Sequence, residues 1–169
     1  EVSELWFDMG SLEPWQSQEL YALVKELQPD CMVSGRLGND AYDFAVMPDN
    51  KLPESALHAP WQTAASMFNE TWSYRSWQER GRVEDKYAEK LRSLIEIVAH
   101  GGNYLLNIGP ASDGSVVPFE DEVVRRIGKW LEQNGDAIYG TQPSPFRTIT
   151  GGFEWGYVTV KDNMIYLLL

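Results

Sequence analysis

Leu5-Trp6-Phe7-Asp8-Met9-Gly10 is an apolar run of strand character that ends in one carboxylate and then a glycine turn. In a β/α barrel, catalytic side chains gather where strands end in this way. The residues that follow agree with such an order. Beyond a turn containing Pro14, Leu20, Leu23, Val24 and Leu27 recur at helical spacing, and Pro29 stops that helix. Cys31-Met32-Val33 reads as a short buried strand, and the polar stretch 35–60, rich in Gly, Pro, Asp and Asn, as a long loop of the functional kind.

Further on, 61–67 can form a third strand. Tyr87, Leu91, Leu94, Ile95 and Val98 then mark one helix face, closed by Gly101-Gly102. Residues 103–108 form the fourth strand. Pro118 suits a helix first turn, with Phe119, Val123, Val124, Ile127, Trp130 and Leu131 as the buried face and Asn134-Gly135 as the terminator. Strand, helix, strand, loop, strand, helix, strand, helix predicts an α/β fold over 1–140, about half a barrel by strand count. After Gly140 the texture changes to Thr, Pro, Gly and aromatics, and 157–160 and 164–168 flank Lys161-Asp162-Asn163 as a hairpin. Residues 141–169 therefore read as a linker and the first strands of a β-rich domain.

Composition narrows the function. With 169 residues, 43% of them hydrophobic and 12% aromatic, the chain can bury one substantial core. Its 14 basic and 25 acidic residues give a net charge of −11, which repels a phosphate backbone, so nucleic acid is not an expected partner. No apolar run reaches the roughly 20 residues of a membrane span, and no membrane partner is expected. The lone Cys31 can form neither an internal disulfide nor a cysteine-rich metal site, and reads as a small buried residue. His58 and His100 are too few and too isolated for a metal site or a hydrolase triad and read as surface or capping residues. Asn69-Glu70-Thr71 fits a glycosylation acceptor, a three-residue signal that matters only in a secretory cell. The opening at Glu1, directly into a strand pattern, reads as a piece of a longer parent, and the compartment stays open.

Four separated stretches carry a family resemblance: Leu5-Trp6-Phe7-Asp8, Trp61-Gln62-Thr63, 101–110 (Gly-Gly-Asn-Tyr-Leu-Leu-Asn-Ile-Gly-Pro) and 134–140 (Asn-Gly-Asp-Ala-Ile-Tyr-Gly). Together they resemble glycoside hydrolase family 29, the retaining α-L-fucosidases. The resemblance covers roughly 2–140 and implies the second half of a TIM-like barrel, followed by the start of a β-sandwich. It also implies hydrolysis of terminal α-L-fucosides on a fucosylated glycan or glycoside, with no cofactor and no metal.

Retaining hydrolysis needs two carboxyl groups about 5 to 5.5 Å apart, one to attack the anomeric carbon and one to protonate the leaving oxygen. By the resemblance Asp8 occupies the nucleophile position, with Met9 where glycine is usual; read without the family, the same carboxylate could simply cap a turn. Asp43, Asp49, Glu54 and Glu70 are the acid/base candidates. Asp49, twelve residues before Trp61, stands where many members of the family carry theirs, although Pro48-Asp49-Asn50 is equally a turn sequence. Gln62 stands where many relatives have Glu, and an amide cannot serve as the acid/base. Arg36 matches a family arginine that contacts the sugar or orients the nucleophile. Trp6 and Trp72 are the expected walls for the apolar side of fucose, Trp72-Ser73-Tyr74 resembling a family Trp-Gly-Tyr, while Trp130 reads as core. Asn107 could face the pocket or serve the turn that follows. Gln62, Met9, Ser73 and the missing first half favour an alternative, a non-catalytic fucose-binding or structural half-barrel. Half a barrel leaves Phe7, Val33 and Leu105 as inward faces to cover, so a second copy or a complementing N-terminal half is expected.

Overall fold

The computed structural model describes residues 1–8, 11–53, 57, 59–145 and 153–169. Met9 and Gly10 of the opening motif, Glu54 and His58 lie outside the described residues. The fold is mixed α/β. Five strands run parallel: β1 (Glu4–Leu5), β2 (Met32–Val33), β3 (Ala45–Val46), β4 (Trp61–Ser66) and β5 (Asn103–Asn107). β1 pairs with β2, β3–β4–β5 form a second parallel group, and a parallel bridge between Ser34 and Phe44 joins the two.

The strand count therefore exceeds the expected four. β3 lies inside the stretch read as loop, and two residues between polar neighbours leave no period-two pattern to find. Its backbone still completes a ladder: Ala45 donates to the Pro60 carbonyl and Met47 to that of Gln62, both at 2.9 Å.

Helix α1 (Pro14–Leu27) links β1 to β2, α2 (Val83–Ala99) links β4 to β5, and α3 (Pro118–Asn134) follows β5. Each begins and ends for a local reason. Proline opens α1 and α3, where its missing N–H has no role. The Gln16 side chain accepts from the Glu13 backbone N–H at 2.9 Å, closing the entry to α1. Acidic residues Glu84 and Asp85, and Glu120 and Asp121, sit in the first turns of α2 and α3, where the helix dipole favours them. At the end of α2, Gly101 takes φ of 80°, while Gly101 and Gly102 donate back to Val98 and Ile97 at 2.9 and 3.0 Å. These are the paired bonds of a Schellman terminator. His100 is the capping residue, its Nδ1 2.6 Å from the Glu96 carbonyl, which agrees with the capping reading.

The helices cover one side of the strands. Val33, Leu37 and Ala41 are buried with Phe7, Leu12, Leu20, Tyr21 and Val24 against α1. Met67, Phe68, Val123 and Ile127 pack with Leu106, Tyr87 and Phe119 between β5, α2 and α3. Two of the three residues expected to face inward therefore face α1 instead: Phe7 and Val33 belong to its cluster. Leu105, next to the helix-facing Leu106, does lie on the opposite side. On that opposite side Trp6 and Gln62 meet across 56 residues, so the strands form a curved wall with a concave face.

A second, antiparallel sheet contains β6 (Gln142–Pro143), β7 (Tyr157–Lys161) and β8 (Met164–Leu168). The expected hairpin is present, turning at Asp162 with φ of 52°. Leu168, Tyr157 and Tyr166 bury against Ile95, Leu91, Trp130, Ala137 and Ile138, so this sheet packs on α2 and the end of α3, and Trp130 is core as expected.

Candidate active site

Two tight turns and one strand end bring four separated residues together at the C-terminal ends of the parallel strands. β2 runs into a single 3-10 turn, Gly35–Leu37, which carries Arg36. Gly35 suits the close approach there, because a Cβ would stand 3.0 Å from the Phe44 carbonyl oxygen and the Val46 nitrogen and would press on that backbone. The turn thus lies directly on β3 and aims Arg36 along the wall. Asp49 is held by the continuation of β3: Asn50 donates to the Ala64 carbonyl at 3.0 Å, and Lys51 closes a turn onto Pro48 at 3.0 Å. The turn read from Pro48-Asp49-Asn50 does form, and it is the device that presents Asp49.

Arg36 Nη1 donates to Asp8 Oδ1 at 2.8 Å and Arg36 Nη2 donates to Asp49 Oδ1. Burial opposes the Arg36 charge, but the hydrogen bonds to Asp49 and Asp8 outweigh it and raise the guanidinium above its ordinary value. The guanidinium carbon lies 4.7 Å from the centre of the Trp6 ring, a cation–π stack. Trp6 in turn donates its indole N–H to Gln62 Oε1 at 2.7 Å. The Asp8 and Asp49 side chains keep 49% and 44% of their surface exposed, against 24% for Arg36, so the carboxylates face an open approach while their shared cation sits behind them.

Chemically this is a pair of carboxylates on one fixed cation, beside an aromatic face. The former can supply a nucleophile and a proton donor, and the latter suits the C–H patches of a sugar.

Four of the expected site residues, Trp6, Asp8, Arg36 and Asp49, are thereby assembled. Trp72 is placed differently: its carbonyl accepts from Asn107 Nδ2 at 2.8 Å at the end of β5, and its side chain is exposed. Asn107 thus serves the segment that follows β4. Glu70 is exposed in a turn of that segment. Asp43 is drawn to the α1 side of the wall, where it accepts from Tyr21 at 2.8 Å, from the Val33 N–H at 2.7 Å and from Lys25 at 2.7 Å. It is a strut between α1 and β2, not part of the carboxylate pair.

Sequence reasoning excluded Gln62 as an acid/base but missed its bond to Trp6. It also missed Glu120, 4% exposed, whose carboxylate accepts the Gly109 N–H at 2.8 Å and ties α3 to the loop after β5. Among the described residues no group of His, Cys, Asp and Glu is arranged to hold a metal ion, and no helix is long and apolar enough to cross a membrane.

Parallel strands thus deliver a carboxylate pair, an arginine and a tryptophan to one rim. The family model for α-L-fucosidase matches residues 1–136, and the chain belongs to that family. Tissue α-L-fucosidase of Rattus norvegicus is 31% identical over 159 residues, covering 90% of this chain and 34% of the rat protein. α-L-fucosidase isoenzyme 1 from Paenibacillus thiaminolyticus superposes with a TM-score of 0.84 at 29% identity, over 97% of this chain and 41% of that one. The Thermotoga maritima enzyme, solved in complex with fucose, gives 0.79 at 27% identity, over 96% and 37%. The chain thus spans about a third to two-fifths of the length of these relatives.

Proposed function

We propose that this chain carries the nucleophile side of a retaining α-L-fucosidase site and acts on terminal α-L-fucosides of fucosylated glycosides. The observation that carries the reading is the double engagement of Arg36 by Asp8 and Asp49. Two carboxylates held on neighbouring nitrogens of one guanidinium lie side by side, as the paired carboxyl groups of retaining chemistry must.

In this mechanism the Asp8 carboxylate attacks the anomeric carbon while the bond to the leaving oxygen breaks and Asp49 delivers a proton to that oxygen. Water then attacks the fucosyl–Asp8 ester, Asp49 takes up its proton, and fucose leaves with Asp8 regenerated. Arg36 orients Asp8 toward the sugar. Trp6 lies beside them as an apolar wall for the sugar, and Trp72 forms a more distant part of the rim.

The parallel wall over 1–140 is read as the second half of a TIM-like barrel, and 141–169 as the linker and first strands of a β-sandwich. The supporting observations are its five parallel strands, the helices that cover one side of them among the described residues, and the change to antiparallel pairing at β6. The concave face then calls for a cover, either an N-terminal half or a second copy.

Incubation with 2-fluoro-fucosyl fluoride followed by peptide mapping tests the reading. A fucosyl adduct on the peptide containing Asp8 is expected, and an adduct on another carboxylate, or none with an active preparation, would overturn the assignment.

A further inference from the structure

Gln62 is 9% exposed, and both ends of its amide are occupied. Oε1 accepts from the Trp6 indole at 2.7 Å, and Nε2 reaches Glu4 Oε1 at 3.5 Å. Chemistry fixes this orientation: an indole N–H only donates and an ionised carboxylate only accepts, so the amide fits one way round. Beyond Trp6 the contacts continue to the Arg36 guanidinium over its ring, and from there to Asp8 and Asp49.

We propose, resting on the fucosidase reading above, that Gln62 is a positioning residue: it sets the plane of the Trp6 ring on which Arg36 stacks, and so the placement of both carboxylates. A cation–π stack depends on the ring face being square to the cation, and an indole is free to tilt unless its N–H is held. An amide does this without adding charge. A carboxylate at position 62 would hold the same N–H but would set a second acid beside Glu4, so that two like charges share that end of the cluster. Gln62 thus adds no second titrating group beside Glu4, and leaves the acid limb of the reaction to the pair at the rim.

The test compares Gln62→Met, which keeps the length but loses the acceptor, with Gln62→Glu, which keeps the acceptor, alongside Trp6→Phe and the double variant Trp6→Phe/Gln62→Met. Gln62→Met should lower kcat/KM on an aryl α-L-fucoside by about tenfold, the size of one lost hydrogen bond. The double variant should be no worse than Trp6→Phe alone, because both changes cut the same relay. The Trp6 indole N–H resonance, assigned through Trp6→Phe, should move in Gln62→Met. Gln62→Glu should keep that resonance and most of the activity while shifting the acid limb of the pH profile. Additive losses in the cycle, an unmoved indole resonance in Gln62→Met, or an unchanged acid limb in Gln62→Glu would each overturn the proposal. If Gln62→Met fails to fold, the acid limb and resonance of Gln62→Glu decide. A wild-type protein without fucoside turnover would sink the fucosidase reading separately, and the indole resonances would still decide the relay.

Discussion

Arg36 lies over the face of Trp6, its guanidinium carbon 4.7 Å from the ring centre, and from that seat it reaches Asp8 and Asp49 at once. The seat matters because a guanidinium stacked on a ring has its plane defined, and its two terminal nitrogens then point in fixed directions. A lysine could carry the same charge but could hold neither geometry.

Asp8→Asn and Asp8→Gly should each remove turnover by at least about 10³-fold, the scale of nucleophile loss in hydrolases. The fold should survive, since the side chain is half exposed and contributes charge rather than packing. Aryl fucoside hydrolysis and far-UV circular dichroism measure the two halves of the statement. Hydrolysis near the wild-type rate by either variant would remove Asp8 as nucleophile.

Asp49→Ala should impair fucosides with basic leaving groups by about 10²-fold or more, and activated aryl fucosides much less. Added azide should restore part of the loss by attacking the fucosyl intermediate without needing a base. Rates on a leaving-group series provide the readout. Equal losses across it would turn Asp49 into a binding residue.

Asp43 links stability to pH. Burial favours its neutral acid, but the Lys25 ammonium, the Val33 N–H and the Tyr21 hydroxyl outweigh this and hold the carboxyl below its ordinary 3.8. A lowered folded value means that the stabilisation is complete above pH 3.8 and is lost as pH falls through the lower, folded value. Asp43→Asn should remove about 2 kcal/mol at neutral pH, with fucoside affinity unchanged, and flatten the acid slope. Urea midpoints of both proteins from neutral to strongly acidic pH would show it, and parallel slopes would contradict it.

Gly102 sits against the buried face of Trp61: a Cβ there would stand 2.4 Å from the ring, which is 1% exposed. Gly102→Ala should therefore cost about 2 kcal/mol by overpacking. A urea midpoint equal to wild type would show that Trp61 can yield. The same variant reports on the terminator of α2, since Gly102 donates to Ile97.

The concave face predicts assembly. Met32, pointing away from the helices on the strand beside Val33, is 41% exposed, whereas Gln62, Ala64 and Ser66 on the same side of β4 are buried, so the part of the wall left to cover lies at β2. Light scattering or sedimentation on the 169-residue chain should show a dimer, or a one-to-one complex when an N-terminal half is supplied. A cooperative monomer that binds no hydrophobic dye would refute this.

Much of the fold was legible along the chain because its signals are local. Pro14 and Pro118 at helix starts, Gly101-Gly102 at a helix end and the apolar stripes of α2 and α3 each act within a few residues, so spacing alone locates them. The resemblance identified Asp8, Asp49, Arg36 and Trp6 by motif position. What spacing could not reveal is any contact that joins distant segments. β3 became visible only as a ladder partner of β4, because two strand residues carry no period. Asp43 and Asp49 are both acidic residues of one polar stretch, and only the parallel pairing turned one toward α1 and the other toward Arg36. The sequence thus determined which residues could do chemistry and where helices begin and end. The tertiary structure decided which carboxylates meet, and it gave Gln62 its partner, because a hydrogen bond across 56 residues depends on the curvature of the whole wall.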